Sequence, residues 1–180
     1  TQSGLIDRSG NGQTSFGFGA LNPASTAAGN TAIGNFALAS STTGNFNSAF
    51  GNQTIYFNTT GANNAAFGNG ALYSNVAGSN ATAIGNNAMY YANNQAGAFI
   101  NYNVALGYEA LRGSTTASAN TGNWNTALGY QTLFSNTTGT ANTANGYRAL
   151  YNNTSGSNNI AIGDGVLQAN TIAGNNTATG

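Results

Sequence analysis

A glycine that returns every 17 residues constrains the fold of this chain more than any other feature. The intervals are 17 residues long except for two of 22, from Gly85 to Gly107 and from Gly107 to Gly129. We number each repeat from this glycine, so that position −2 is the second residue before it and position +4 the fourth after it. The repeat glycines are Gly17, Gly34, Gly51, Gly68, Gly85, Gly107, Gly129, Gly146, Gly163 and Gly180. A flexible linker would not keep this spacing, so the sequence predicts a repeat protein.

Two columns of large apolar residues recur, at position −1 in eight copies and at position +4 in all nine copies that contain it. We expect these columns to fill the core. The expected core residues are Ile33, Leu38, Phe50, Ile55, Phe67, Leu72, Ile84, Met89, Leu106, Leu111, Leu128, Leu133, Leu150, Ile162 and Leu167. Position −2 is alanine in nine of ten copies. Because side chains alternate along a strand, we expect this alanine column on the opposite face, either as a contact strip for another chain or as part of a tight coil.

Asparagine at position −4 and a second glycine at position −7 complete the pattern. Position −4 is asparagine in eight copies, namely Asn30, Asn47, Asn64, Asn103, Asn125, Asn142, Asn159 and Asn176. Each repeat then reads as a turn, a short strand, a glycine corner and a second short strand, and the Gly, Asn and Thr content disfavours a helix. Stacked repeats predict an all-β fold, a β-solenoid or parallel β-roll of about ten coils that is about 45 to 50 Å long. The stacked asparagines would form an amide ladder.

The domain organisation follows from where the repeat begins. We expect residues 10–180 to form the solenoid, and residues 1–9 to be an irregular N-terminal segment or a segment that docks on the first coil. A solenoid exposes an unpaired strand edge at each end unless the end is capped, and no cap is recognisable at the C-terminus. End-to-end stacking of subunits into a filament, or a place within a longer fibre protein, would satisfy such edges.

Composition excludes several classes of function. Only 3% of the residues are charged, and histidine and cysteine are absent, so we expect no enzyme, no cofactor and no metal site. Arg8, Arg112 and Arg148 are scattered, which disfavours nucleic-acid binding. Glu109 and Asp164 would lie about 14 Å apart, too far for a glycosidase pair. No apolar run reaches the roughly 18 to 20 residues that span a membrane, so we expect no insertion of this chain.

The two long intervals are expected to carry loops, which is where binding residues often lie. Tyr91, Tyr102 and Trp124 lie close to these intervals and form a candidate aromatic platform for sugar rings. A structural alternative is that the aromatics stack on one another and cover the core. Aromatic residues recur at position +5 without regard to the loops, at Tyr56, Tyr73, Tyr90, Phe134 and Tyr151. Glu109, Arg112 and Arg148 are expected to offset one another's charge at a partly exposed surface and to add little stability.

One motif carries a family resemblance. The strand Asn-Thr-Ala-Ile-Gly at residues 30–34 returns as Asn-Thr-Ala-Leu-Gly at 125–129 and Asn-Ile-Ala-Ile-Gly at 159–163. It resembles the head repeats of trimeric autotransporter adhesins, and the similarity extends from about residue 10 to residue 180. The resemblance implies a left-handed parallel β-roll, three chains associating around an axis, and a location on a bacterial surface. Related repeats also occur in phage-type tail fibres.

These observations favour an extracellular structural fibre or filament subunit with a role in surface adhesion. The expected partners are further copies of the chain, as a homotrimer or an end-to-end filament, together with host or surface glycans. An ice-binding β-solenoid is an alternative, although Ser48, Ala65, Val104 and Ile160 interrupt the threonine column at position −3. A phage tail-fibre shaft is a second alternative with the same surface chemistry.

Overall fold

The 17-residue repeat winds the chain into a β-solenoid of about ten coils, as predicted. The computed structural model describes residues 6–8 and 11–180. The ten coils contribute one short strand each, and the N-terminal segment one more, to a sheet of eleven strands that pair in chain order. The strands of this sheet are β1 Ile6–Arg8, β2 Gln13–Phe16, β3 Thr31–Ile33, β4 Ser48–Phe50, β5 Ala65–Phe67, β7 Thr82–Ile84, β9 Val104–Leu106, β10 Thr126–Leu128, β11 Thr143–Asn145, β12 Ile160–Ile162 and β13 Thr177–Thr179.

The strands from β2 to β13 run parallel and in register, so that equal repeat positions lie above one another. Ala49 pairs with Ala66, for example, and Phe50 with Phe67. A second small sheet pairs β6, Gly78–Ser79, with β8, Phe99–Ile100. A 3₁₀-helix of three residues spans Ala117–Ala119. No helix in residues 6–8 and 11–180 is long and apolar enough to cross a membrane.

The N-terminal segment meets the first coil in a different orientation. Strand β1 pairs antiparallel with β2, and Asp7 lies opposite Thr14. Part of the segment at residues 1–9 therefore forms a strand against the first coil, while residues 1–5 and 9 lie outside the described part of the chain. This pairing gives the edge of β2 a hydrogen-bonding partner within the same chain.

The side chains of each strand face the opposite way from the sequence-based expectation. Alanine at position −2 points into the coil and is fully buried from Ala32 to Ala161. The large residues at position −1 point outward. Ile33, Phe50 and Leu128 are half-buried, and the exposed ones are Phe16, Phe67, Ile84, Leu106 and Ile162. Their assignment to the core was wrong, as was that of the alanines to an outer contact strip. The interior of a 17-residue coil is narrow, and only a small side chain fits opposite the large residue at position +4.

Position +4 supplies the core. Seven of these side chains are at most 2% exposed, namely Leu21, Leu38, Ile55, Leu72, Met89, Leu133 and Leu150. Leu111 is buried as well, whereas Leu167 is half-buried. The buried alanines at positions −2 and +3 pack around this column, among them Ala66 and Ala71. A continuous apolar column therefore runs along the coil axis, with large residues on one side and alanine on the other.

The predicted second strand of each repeat is absent, and a left-handed turn takes its place. The residues at position +4 have positive φ, 51° at Leu38 and 51° at Ile55. A branched side chain rarely adopts this backbone, which costs about 1 to 2 kcal/mol per residue. Burial of a large aliphatic side chain contributes about 1.5 to 3 kcal/mol and offsets that cost. The turn also keeps its hydrogen bonds between coils, since the Ile55 N–H donates to the Ala71 carbonyl at 2.9 Å.

Two asparagine ladders hold the turns of neighbouring coils together. In the predicted ladder at position −4, Asn142 Nδ2 donates to Asn125 Oδ1 at 3.0 Å and to the Gly156 carbonyl at 2.9 Å. The ladder runs from Asn30 to Asn64, breaks at Ala81, and resumes from Asn103 to Asn176. The second ladder, at position +7, was not anticipated. It links Asn58 to Asn75 and, after a gap, Asn136, Asn153 and Asn170.

Substitution of a repeat glycine is expected to destabilise the solenoid strongly. Gly68 has φ 128°, and a Cβ at this residue would lie 2.6 Å from the Gly85 carbonyl oxygen of the next coil. We expect Gly68→Ala to cost roughly 3 kcal/mol of unfolding free energy, because both the backbone angle and the spacing of the coils oppose it. Gly97→Ala is the matched control, since φ is not positive there and a Cβ would meet nothing within 4 Å. Chemical denaturation of both variants measures the effect, and equal midpoints would contradict it.

Removal of one ladder amide tests the −4 ladder. Asn142 is fully buried, and its Oδ1 accepts from both the backbone and the side-chain nitrogen of Asn159 at 3.0 Å. Asn142→Ala leaves the buried backbone N–H of Asn159 unpaired and removes the side-chain bonds to Asn125 and to the Gly156 carbonyl, so we expect a loss of about 2 kcal/mol in unfolding free energy. Asn69→Ala, at an exposed position, should change it by less than about 0.5 kcal/mol. Similar losses in the two variants, measured by denaturant unfolding, would argue against a structural ladder.

Candidate functional site

The three aromatic residues of the expected platform do not form one surface. Tyr102 and Trp124 lie at position −5 of consecutive coils and are exposed. Asn123 joins their backbones, because its Oδ1 accepts from the Tyr102 N–H at 2.7 Å and from the Trp124 N–H at 2.8 Å. The ring of Tyr91 instead packs edge-on against Tyr90, with the centroids 4.8 Å apart. Within the described part of the chain, no ring contact connects Tyr91, Tyr102 and Trp124.

The recurring aromatics stack along the coil axis, as the structural alternative predicted. At position +5 the rings of Tyr73 and Tyr90 are parallel with centroids 4.7 Å apart, and Phe134 stacks on Tyr151 at 4.9 Å. A second stack at position +1 joins Tyr108, Tyr130 and Tyr147 at 5.2 and 5.3 Å. These spacings follow from the coil repeat, since each ring rests on the ring one coil below.

Arg112 takes the place of an aromatic residue in the +5 column. Its guanidinium carbon lies 4.7 Å from the ring centre of Tyr91 and 5.1 Å from that of Phe134. Its Nε also lies 3.2 Å from Glu109 Oε1, which is an ion-pair distance. The cation is thus held between two rings and a carboxylate, in a partly buried position where such contacts are stronger than on an open surface.

A polar ladder at position +2 is the most distinctive group of side chains on the surface of the coil. Gln131 Nε2 donates to Glu109 Oε2 at 2.8 Å, and Arg148 Nε donates to Gln131 Oε1 at 3.0 Å. Gln131 is only 8% exposed. The three planar groups span three coils in line, and the tyrosine stack of position +1 runs beside them. Glu109, Arg112 and Arg148 are three of the six charged residues in the chain. We call Glu109, Gln131 and Arg148 the charged ladder.

Sequence reasoning found the charges of this ladder but missed its geometry. It paired Glu109 and Arg112 with Arg148 as mutually neutralising charges, whereas the structure pairs only Glu109 with Arg112 by an ion pair. Arg148 contacts the neutral amide of Gln131 instead, so its charge is not offset by an ion pair among the described residues. The signal was available, because the three residues share position +2 of consecutive repeats.

The two 22-residue intervals enclose a small polar cavity. It has a volume of about 20 Å³, enough for about one water molecule, and its lining includes Ala92, Asn93, Asn101, Asn103 and Asn120. Ala92 stands at position +7, where the +7 asparagine ladder would otherwise continue, and Asn103 belongs to the −4 ladder. Met89 and Leu111 of the core column also line it, so the loops of the long intervals meet the interior of the coil at this cavity.

The charged ladder places amide, carboxylate and guanidinium groups beside the tyrosine stack. Glu109 is occupied by Gln131 on one oxygen and by Arg112 on the other. No group of three His, Cys, Asp or Glu side chains in residues 6–8 and 11–180 is placed to hold a metal ion. Planar hydrogen-bonding groups beside aromatic rings, by contrast, are suited to binding a ligand that carries both polar and flat faces.

The stacked tyrosines predict a change of stability at alkaline pH. Burial raises the pKa of Tyr90 above 10.0, and Tyr73 and Tyr91 raise it further, while Arg112 lowers it. The unfolded chain therefore loses this proton at lower pH than the folded chain, and stability should fall as pH rises above about 10. We expect the thermal midpoint of the wild type to fall more steeply from about pH 9 to about pH 11 than that of Tyr90→Phe. Parallel curves for the two proteins would contradict this.

Comparison of the chain with protein-family models, with curated proteins and with solved structures finds no match in any of the three. The resemblance to adhesin head repeats therefore stays a prediction from the Asn-Thr-Ala-Ile-Gly motif. Function has to be inferred from the two distinctive surfaces of the coil, the outer face of the sheet and the charged ladder.

Proposed function

We propose that this chain is a structural repeat domain of an extracellular fibre, with a role in surface adhesion, and that it associates with further copies of itself. The observation that carries the proposal is a row of large apolar side chains on the outer face of the main sheet. We call this row the apolar strip. Its members are Phe16, Ile33, Phe50, Phe67, Ile84, Leu106, Leu128 and Ile162 at position −1, with Val104 and Ile160 at position −3.

The apolar strip runs along the coil axis from Phe16 to Leu128, is interrupted by Asn145, and resumes at Ile160 and Ile162. Its seven exposed members are between 38% and 48% exposed. Soluble monomers rarely leave so long an apolar surface uncovered, which favours a protein partner. Charged side chains do not interrupt the strip at positions −1 and −3, so burial against another apolar face carries no penalty for stripping water from charges.

A second copy of the same chain is the partner that fits this strip best. Side chains along it repeat at the spacing of the coils, as the parallel stack of Phe50 on Phe67 with centroids 4.7 Å apart shows. Two or three identical strips laid side by side match in spacing at every coil, whereas an unrelated surface would match at a few points only. A homotrimer around an axis, as the resemblance implies, and an open filament are the two assemblies that we propose.

The chemistry of the coil supports a location outside the cell. The fold is held by main-chain hydrogen bonds, amide ladders and stacked rings, none of which depends on a reducing environment or on charge. Three arginines and no lysine leave few sites for proteases that cut after basic residues. The alternative of ice binding is less well supported, since position −1 places bulky Phe, Ile and Leu side chains on the face where regular ice-binding rows would need threonine.

Sedimentation of variants tests self-association through the apolar strip. We expect the wild type to sediment as a species with a multiple of the 18.0 kDa chain mass, and the double variant Ile84→Thr with Leu106→Thr to shift towards the single chain. Threonine is suited to strands and occurs naturally at position −1, at Thr179. Ile172→Thr is the control, because Ile172 is 72% exposed and lies away from the strip.

The outcomes of this experiment separate the proposals. A mass of three chains supports the trimer, and a broad distribution that grows with concentration supports the filament. A wild type that remains a single chain at every concentration would rule out the strip as a contact between copies. Lowering of the freezing point by the same sample, beyond that of its buffer, would favour the ice-binding alternative instead.

A further inference from the structure

We propose that Arg148 binds the carboxylate of an acidic saccharide on the face formed by the charged ladder and the tyrosine stack. This inference deepens the adhesion role proposed above by naming a site and a ligand class. It concerns positions +1, +2 and +5, whereas self-association concerns positions −1 and −3. Either proposal can therefore fail without the other.

The side chain of Arg148 is held in one orientation by residues below it. Its Nε donates to Gln131 Oε1 at 3.0 Å, and Gln131 is itself fixed by Glu109 at 2.8 Å. Burial of Gln131 prevents this amide from turning away into solvent. The guanidinium carbon also lies 5.2 Å from the ring centre of Tyr147 and 5.1 Å from that of Tyr151. An arginine positioned in this way loses little freedom when it binds.

The outer edge of this guanidinium carries no charge partner. No acceptor in residues 11–180 bonds the two terminal nitrogens of Arg148, and no carboxylate there forms an ion pair with it. Asp164, at position +1 of the next coil, is exposed and makes no ion pair. Position +2 of that coil is Gly165, which has no side chain to continue the charged ladder above Arg148. Two parallel N–H groups of a guanidinium match the two oxygens of a carboxylate, so this edge is a fork open to an anion.

The surroundings of Arg148 favour a saccharide over a small inorganic anion. Three tyrosines, Tyr108, Tyr130 and Tyr147, are exposed in a row beside the charged ladder, with their rings 5.2 and 5.3 Å apart. Each ring brings an amphipathic edge with a hydroxyl to the surface. A phosphate or sulfate ion would use Arg148 alone. An extended chain of hydroxylated sugars can bond the tyrosine row while its carboxylate occupies the guanidinium.

Calorimetric titration with oligogalacturonate tests this site, because the same oligomer with all carboxylates methyl-esterified is a neutral control. We expect the wild type to bind the acidic oligomer, with weaker binding at high salt, and not to bind the ester. Arg148→Gln should weaken binding by about tenfold or more, and Arg148→Lys should weaken it less, since lysine keeps the charge but not the fork. Asp164→Asn is the matched surface control and should not weaken binding.

Several results would overturn the proposal. These are absence of binding by the wild type, equal binding of the ester, and unchanged affinity in Arg148→Gln. Displacement of the oligomer by inorganic phosphate at a similar concentration would reduce the site to a general anion site and refute the saccharide assignment. Circular dichroism and the thermal midpoint of each variant show whether the coil is intact, so that a loss of binding is not mistaken for a loss of folding.

Discussion

The close approach of one coil to the next at the repeat glycine is the constraint on which the whole structure depends. At this corner the backbone of one coil rests against the carbonyl of the coil above, and a methyl group in that space would overlap with it. The hydrogen bonds between coils, the asparagine ladders and the stacked rings all require the same short separation. A single larger side chain at the corner would therefore weaken several kinds of contact at once.

The coil could be predicted from the sequence because one residue, the repeat glycine, recurs at the period of the coil. Seventeen residues from Gly34 to Gly51, and again to Gly68, leave no room for a helix and its return. The ladder asparagines could be named for the same reason, since Asn47 and Asn64 recur at one position and must stack if the coils do.

The direction of the strand side chains could not be predicted from alternation alone. The pattern Ala49, Phe50 shows that the two residues face opposite ways, but it does not say which one faces inward. Hydrophobicity alone predicts that phenylalanine points inward, but the interior of the coil is narrow and takes the alanine instead. The turn after the corner was missed because leucine and isoleucine were expected in a strand, whereas Leu38 and Ile55 adopt a left-handed backbone. Propensity was overridden there by the need to close a short coil around a large side chain.

For the candidate site, the sequence identified the relevant residue types but not which of them the coil brings together. Tyr91, Tyr102 and Trp124 were grouped by their nearness in sequence to the long intervals, yet Tyr91 is at position +6 while Tyr102 and Trp124 share position −5, so only the last two are neighbours on the coil. Residues 22 and 17 positions apart, such as Glu109, Gln131 and Arg148, are the ones that the coil brings into contact. In a stacked repeat, a site is better sought by repeat position than by sequence proximity.

The interruptions at the long intervals have a mechanical consequence for a rod of this kind. The −4 ladder breaks at Ala81, the +7 ladder stops at Asn75, whose Oδ1 has no partner among the described residues, and Arg112 replaces a ring in the aromatic stack. Both amide ladders are therefore interrupted within neighbouring coils, whereas Arg112 keeps the +5 column connected through its contacts with Tyr91 and Phe134. Because the main sheet and the apolar core run through this region unbroken, the coils there are joined by backbone pairing and core packing with fewer amide bonds between them, and bending of the rod would meet the least resistance at that point.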